Sequence, residues 1–248
     1  MDMTAGSDAP TAIVLAGGLG TRVSHLLGDL PKPMAPVLGR PFIEWVCRYL
    51  AKQGIQRILI STGHRGEKIA RHFAGIQLAG VRISCHQESG QLGTAGGFLN
   101  ALSTAGDSPH GWLVCNGDSL VVCSLGPFIA AVAGRLGTAG VLGVSVADAS
   151  RYGKLEVAAD DRLVKFAEKT PGAGIINAGV YLFSGDLPRR FSSRRPLSFE
   201  TDVFPDLLAR GVPISVHAVE APFLDIGVPD SLAQAADFVE RNRGEFTA

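Results

Sequence analysis

The run Ile13-Val14-Leu15-Ala16-Gly17-Gly18-Leu19-Gly20-Thr21-Arg22, followed closely by Pro31-Lys32-Pro33-Met34, constrains this chain more than any other feature. Thr11 to Ala16 is apolar enough to be a strand buried on both faces, as at the centre of a parallel sheet. Three glycines within four positions then let the backbone turn tightly and present bare N–H groups to an anion. Arg22 adds a planar fork suited to two phosphate oxygens, and Lys32 a compact point charge. Prolines flanking Lys32 bias it towards extended geometry, so it is expected to lie along a loop that reaches back over the glycine turn. A P-loop is excluded because no lysine follows these glycines before Lys32. The dinucleotide fingerprint is excluded because Val23 stands where it needs a third glycine.

With 248 residues, 46% of them hydrophobic and 19% charged, the chain can bury a full core. Lys plus Arg and Asp plus Glu both number 23, so no basic field points to nucleic acid or an anionic membrane. Cys47, Cys85, Cys115 and Cys123 have no C-x-x-C spacing, and three lie in apolar runs, which suits a reducing cytoplasm. The N-terminus has neither the basic start nor the long apolar run of a signal peptide or membrane span.

Apolar runs alternate with amphipathic stretches, which predicts an α/β fold with a mainly parallel, Rossmann-like sheet flanked by helices. Strands are expected at 11–16, 57–62, 81–86, 112–115 and 140–146. Helices are expected to start at Pro41 and to cover 67–73, 94–102 and 127–136. Beyond residue 150 the pattern loosens into short strands at 155–157, 163–166 and 175–183, read as a small subdomain continuous with the sheet. A helix near 201–208, a strand at 213–219 and a terminal helix over 230–242 follow. The expected organisation is a flexible leader over 1–10 and a single domain over 11–248. Its main part spans about 11–150, its smaller part about 151–228, and its C-terminal helix 229–248. No internal repeat is present.

In open α/β sheets, ligands bind beyond the carboxyl ends of the strands. Asn116-Gly117-Asp118 follows one such strand, and Phe223-Leu224-Asp225-Ile226-Gly227 offers a second carboxylate in an apolar segment. Each aspartate alone reads equally well as a cap, Asp225 as the N-cap of the final helix. Together with the phosphate loop, the two would suit Mg²⁺ that also takes phosphate oxygens and water. Gln91-Leu92-Gly93-Thr94-Ala95-Gly96-Gly97 can open a helix whose unpaired N–H groups would favour phosphate. Glu200 and Asp202 read most simply as helix-initiating acids. The six histidines fall into no metal or triad spacing.

These residues resemble a family, the sugar nucleotidyltransferases, whose signature is L-A-G-G-x-G-T-R followed by P-K-P. The resemblance runs from about Ala12 to the helix after Asp225, with motifs in the expected order, and it implies that about 11–150 is the nucleotide-binding part and about 151–228 the sugar-side part. It implies that Ala16, Gly17, Gly18, Gly20 and Thr21 hold the nucleotide, and that Leu92, Gly93 and Thr94 lie beside the base with Gln87 or Glu88 assisting. It also implies that Asp118 and Asp225 are the magnesium ligands and that Gly153, Glu168, Lys169, Asn177 and Gly179 surround the sugar phosphate. Without it, Glu168-Lys169 reads as a solvated surface pair.

The implied reaction is attack by a sugar 1-phosphate oxygen on the α-phosphorus of a nucleoside triphosphate, with pyrophosphate leaving in line. Arg22, Lys32 and Lys169 would be catalytic through charge and position. A phosphate monoester is already largely a dianion at neutral pH, so no general base is needed. Within the family the resemblance leans to guanylyltransferases that use GTP and D-glycero-D-manno-heptose 1-phosphate and feed cell-surface polysaccharide synthesis. Mannose 1-phosphate enzymes stand close by. Enzymes using UTP, CTP or dTTP and a non-catalytic nucleotide-sugar-binding relative are the alternatives, and a homo-oligomer is allowed. A related glycosyltransferase fits less well, because Asn116-Gly117-Asp118 supplies only the last acid of a D-x-D motif.

Overall fold

The computed structural model describes residues 9–132, 135–167 and 170–247. In chain order these form β1 (Thr11–Ala16), the short α1 (Ser24–Leu27), a small hairpin of β2 (Pro36–Val37) and β3 (Arg40–Pro41), and α2 (Phe42–Lys52). Then come β4 (Arg57–Thr62), α3 (Gly66–Ala74), β5 (Arg82–Gln87), α4 (Thr94–Leu102), β6 (Trp112–Asn116), β7 (Ser119–Val121), α5 (Gly126–Val132) and β8 (Ala139–Val146). The later part comprises β9 (Lys154–Val157), β10 (Leu163–Ala167), β11 (Gly174–Phe183), α6 (Phe204–Ala209), β12 (Ile214–Val219), β13 (Phe223–Asp225), α7 (Pro229–Ala233) and α8 (Ala235–Arg241).

One nine-stranded sheet carries the fold, with a main path β10-β9-β11-β6-β1-β4-β5, from which β8 branches at β11 and in turn pairs with β12. The block β6-β1-β4-β5 is parallel, as the alternation of strands and helices demands. On the other side β11 runs antiparallel to β6, β8 and β9, so the later strands continue the same sheet rather than forming a separate one.

Side-chain alternation divides the core into two layers, one on each face. From β1, Ala12, Val14 and Ala16 enter one layer and Ile13 the other; Ile58 and Ile60 of β4 oppose Leu59 in the same way. The first layer is covered by α2, α3, α5 and α8, and the second by α4, α6 and an aromatic cluster that includes Phe98, Tyr181, Phe183 and Phe199. Burial pushes the thiols of Cys85 and Cys115 up, to about 11 and about 12, so both behave as small hydrophobes.

Two elements differ from the sequence reading. The expected terminal helix is two helices, α7 and α8, separated at Gln234. The helix expected near 201–208 begins as a wider turn over Phe199–Val203, with Ser198 as its cap accepting from the Thr201 N–H. Of the helix expected over 127–136, α5 covers Gly126–Val132, Ala133 and Gly134 lie outside the described residues, and Arg135 and Leu136 are not helical.

A buried acid pins α2 to α3. Glu44, with its side chain 1% exposed, accepts from Arg40 Nη1 at 2.6 Å and Arg48 Nε at 2.8 Å, and its other oxygen lies 2.9 Å from His72 Nε2. Burial raises its pKa, but the hydrogen bonds from Arg48, Arg40 and His72 outweigh this and hold it below the ordinary 4.5. A depressed folded-state pKa gives stability that is complete above the unfolded value and lost as pH falls through the folded one. Glu44→Gln is therefore expected to cost about 1–3 kcal/mol at pH 7. Denaturant melts should show the gap between variant and wild type closing below about pH 4.5.

Candidate active site

The carboxyl ends of β1, β4 and β6 converge on one edge of the sheet, and the turns leaving them lie against one another. The Gly117 N–H donates to Leu15 O at 2.8 Å, and a Cβ on Gly63 would stand 2.5 Å from Gly17 O, so only glycine lets that turn approach the first glycine of the loop. Gly20 takes a left-handed φ of 60° and folds over the stem of Lys32, whose Cβ would lie 2.7 Å from a Cβ at Gly20. Leu15, Ala16, Gly18, Gly20, Thr21, Arg22, Lys32, Pro33, Asp118 and Gly227 together line a cavity of about 210 Å³. Thr21 and Arg22 are exposed at its mouth.

Lys32 is not extended as the flanking prolines suggest. Lys32–Met34 forms a single 3₁₀ turn closed by Met34 N–H to Pro31 O at 2.8 Å and Ala35 N–H to Lys32 O at 3.0 Å. Pro33 sits early in the turn, where its missing N–H costs nothing. The turn buries the lysine stem and aims its ammonium inward: Nζ lies 2.7 Å from Asp118 Oδ2 and 3.6 Å from Asp225 Oδ1.

The two aspartates meet because β7 pairs antiparallel with β13, placing Asp225 opposite Ser119, and because the Ile226 N–H donates to Asp118 O at 3.0 Å. Asp225 is not a helix cap. Its Oδ1 accepts from the Gly227 N–H at 2.5 Å, and α7 starts after Val228. Both carboxylates keep about a third of their side-chain surface exposed, at 33% and 30%. A pair of oxygen donors open to solvent, already neutralising an ammonium, fits a hard divalent cation that completes its shell with phosphate and water. Among the described residues no cluster of three or more metal-binding side chains exists, so such an ion would depend on its substrate.

The loop expected beside the base is built differently from its sequence reading. Gly93 has φ of 77°, and the N–H groups of Ala95 and Gly96 at the start of α4 both donate to Leu197 O, at 2.9 and 3.1 Å. The Gly97 N–H donates to Gly93 O, and Leu92 O accepts from the Leu197 N–H at 2.8 Å. These α4 donors are therefore satisfied internally and are not free for phosphate. Of the two candidate side chains, Gln87 is exposed, whereas Glu88 is half-buried against the glycines. Glu88 Oε1 accepts from Ser61 Oγ at 3.0 Å and would lie 2.5 Å from a Cβ on Gly97; a Cβ on Gly17 would meet the same carboxylate. Burial raises the Glu88 pKa, while Ser61 and the Leu92 N–H act against that rise.

Of the residues expected around the sugar phosphate, Asn177 and Gly153 meet, the Asn177 N–H donating to Gly153 O at 3.1 Å. Gly179, with φ of 71°, packs against the side chain of Asn116 so closely that any Cβ would collide with it. Asn116 had no assigned place in the sequence reading, where only the acid of Asn116-Gly117-Asp118 stood out. Glu168 and Lys169 lie outside the described residues, directly after Ala167 of β10. A larger groove of about 890 Å³ opens at the opposite edge of the sheet, lined by residues such as Arg57, Arg82 and Ser108, and holds none of the motif residues.

The nucleotidyl transferase family model matches residues 11–242. The chain belongs to the nucleotidyl transferase family. It is 32% identical to D-glycero-alpha-D-manno-heptose 1-phosphate guanylyltransferase of Campylobacter jejuni over 225 residues, which cover 88% of this chain and 95% of that protein. It is also 32% identical to mannose-1-phosphate guanylyltransferase of Mycobacterium tuberculosis, across 92% of this chain but 64% of the longer relative. The crystal structure of HddC from Yersinia pseudotuberculosis complexed with GMP-PN superposes with a TM-score of 0.81 at 30% identity, covering 92% of this chain and 99% of that one.

Lys32→Met would leave the two acids facing each other with no cation between them. The variant is expected to melt about 2–6 °C below wild type in metal-free buffer. Added Mg²⁺ should recover most of that loss, and a divalent-independent melting temperature would show that the ammonium has no such role.

Proposed function

We propose that this nucleotidyl transferase moves GMP from GTP to D-glycero-α-D-manno-heptose 1-phosphate and releases pyrophosphate. The observation that carries the transfer chemistry is the meeting of Asp118 and Asp225 at the Lys32 ammonium, beside a cavity that Lys32 and Asp118 line together with Gly18, Gly20 and Arg22. In this reading an oxygen of the sugar phosphate forms a bond to the α-phosphorus as the bond to the pyrophosphate oxygen breaks. The nucleophile is already anionic, so positioning and charge neutralisation take the place of a base. Arg22 at the cavity mouth suits bidentate contact with the triphosphate, and Lys32 suits a phosphate oxygen near the reacting centre. Mg²⁺ held by Asp118 and Asp225 would supply further neutralisation of phosphate charge. Lys169, which follows β10 in the sequence, is proposed to meet the incoming phosphate, and Glu168 the sugar.

Guanine is favoured by two kinds of support. The relatives described above include guanylyltransferases, and the HddC structure is complexed with GMP-PN. A carboxylate at Glu88, seated beside Gly17 and Gly97, also offers acceptors to a base edge carrying N–H donors, which guanine has and adenine lacks in that arrangement. Heptose rests on the first relative and on the near-complete coverage of its length. Mannose 1-phosphate is the second reading, because the mycobacterial relative is equally identical. No helix among the described residues is long and apolar enough to cross a membrane, and the four cysteines are unpaired. A cytoplasmic enzyme making a precursor for cell-surface polysaccharide agrees with both.

A matrix of four nucleoside triphosphates against several sugar 1-phosphates, read by pyrophosphate release, tests the proposal. GTP with the heptose substrate is expected to give the highest kcat/KM. Higher turnover with mannose 1-phosphate would select the second reading, and a preference for UTP, CTP or dTTP would overturn the guanine assignment. In the best pair, Asp118→Asn and Asp225→Asn are each expected to lower kcat by about 10² or more with the melting temperature nearly unchanged, on the scale of losing one preorganised charge contact. Near-normal rates at limiting Mg²⁺ would remove these acids from the mechanism.

A further inference from the structure

Glu200 is the acid that the sequence assigns to a helix start, but its side chain turns inward. Its Oε1 accepts from the Tyr181 hydroxyl at 2.8 Å, and its Oε2 accepts from Ser198 Oγ at 2.9 Å and, at 3.4 Å, from Thr94 Oγ1 of the base-side loop. Tyr181 is fully buried, its ring centroid 5.2 Å from those of both Phe199 and Phe204. On its other side the Tyr181 oxygen accepts from Asn177 Nδ2 at 2.7 Å, and Asn177 Oδ1 accepts from the Gly179 N–H at 2.9 Å.

The direction of this chain of hydrogen bonds follows from its acid end. An ionised carboxylate only accepts, so the single Tyr181 hydrogen must go to Glu200. The Tyr181 oxygen can then only accept from Asn177, which turns the amide nitrogen towards the tyrosine and its oxygen towards the Gly179 N–H. Both contacts agree, and the flip of Asn177 is fixed from each end. One amide N–H of Asn177 is left over, and the residue is only partly buried.

We infer that Glu200, acting through Tyr181, is a positioning residue that holds Asn177 with its remaining N–H presented as a donor to a hydroxyl of the sugar 1-phosphate. The inference rests on the proposed place of Asn177 in the sugar pocket. Fixing the amide in advance spares the substrate the cost of ordering it, so the benefit belongs to sugar binding and not to the nucleotide.

Tyr181→Phe tests this because it keeps the ring and its packing while removing the hydroxyl. With GTP and whichever sugar 1-phosphate gives the highest turnover, the KM for the sugar phosphate is expected to rise about tenfold. The KM for GTP should stay within about twofold, and the melting temperature within a few degrees. Glu200→Gln can donate to the tyrosine oxygen and reverse the chain, so it should raise the same KM. Asn177→Ala should match the effect of Tyr181→Phe, and the double variant should be no worse than Asn177→Ala alone, because both changes remove one interaction. Additive effects, or equal rises in both KM values, would overturn the positioning role while leaving Asn177 in the pocket. An unchanged sugar KM in Asn177→Ala would take Asn177 out of the pocket and the inference with it.

Discussion

The site depends on one short antiparallel pairing, that of Ser119–Val121 with Phe223–Asp225. Without it, Asp118 would end a strand at the middle of the sheet and Asp225 would lie on a late connecting loop, with nothing to bring them together. The pairing is only three residues long, and much of its stability comes from what surrounds it. Leu120, Val121 and Leu224 are buried in the first core layer, and the Val122 N–H donates to Pro222 O at 2.9 Å just beyond the paired residues. Once closed, the clasp sets two negative charges side by side, and the Lys32 ammonium offsets them. The 3₁₀ turn at Lys32 follows from that requirement, since a backbone extended across the loop would not bring the stem down between the acids.

The parallel half of the fold was legible in the sequence for a physical reason. Strands such as Thr11–Ala16 and Arg57–Thr62 are buried on both faces, so their apolar runs are nearly continuous and their ends are marked by glycine. Short elements carry no such mark. Three residues at β7 and three at β13 cannot display a period, and their partnership is a long-range fact that neither segment encodes alone. The joint reading of Asp118 and Asp225 as a metal pair rests on their residue types and on a family resemblance; what the structure adds is that both carboxylates lie beside the Lys32 ammonium.

Side-chain roles were less legible than positions. Gln87 and Glu88 are neighbours, and only the parity of β5 and the turn after it decides which one faces the glycines. The start of α4 has the composition of an anion site, yet Leu197 O occupies two of its donors, a contact made by a segment a hundred residues downstream. Glu200 shows the same limit: an acid in a first helical turn has a sufficient local explanation, so nothing in the sequence points to a buried tyrosine as its partner. In each case a local rule was obeyed, and a distant residue then decided the outcome.

The division of the core into two layers has a further consequence for how this protein can change. Along β1, small and large side chains are assigned to opposite faces in strict turn, Ala12, Val14 and Ala16 to one and Ile13 to the other. A single residue inserted or deleted within the strand would send isoleucine-sized groups into alanine-sized spaces, and the reverse, across both layers at once. The strand thus works as a ruler that delivers Gly17 to a fixed height above the sheet. The turn at Gly28 and Asp29, by contrast, is exposed and is held to the start of α3 through the side chains of Arg65 and Lys68, so a change of length there disturbs surface contacts and leaves both ends of the ruler in place.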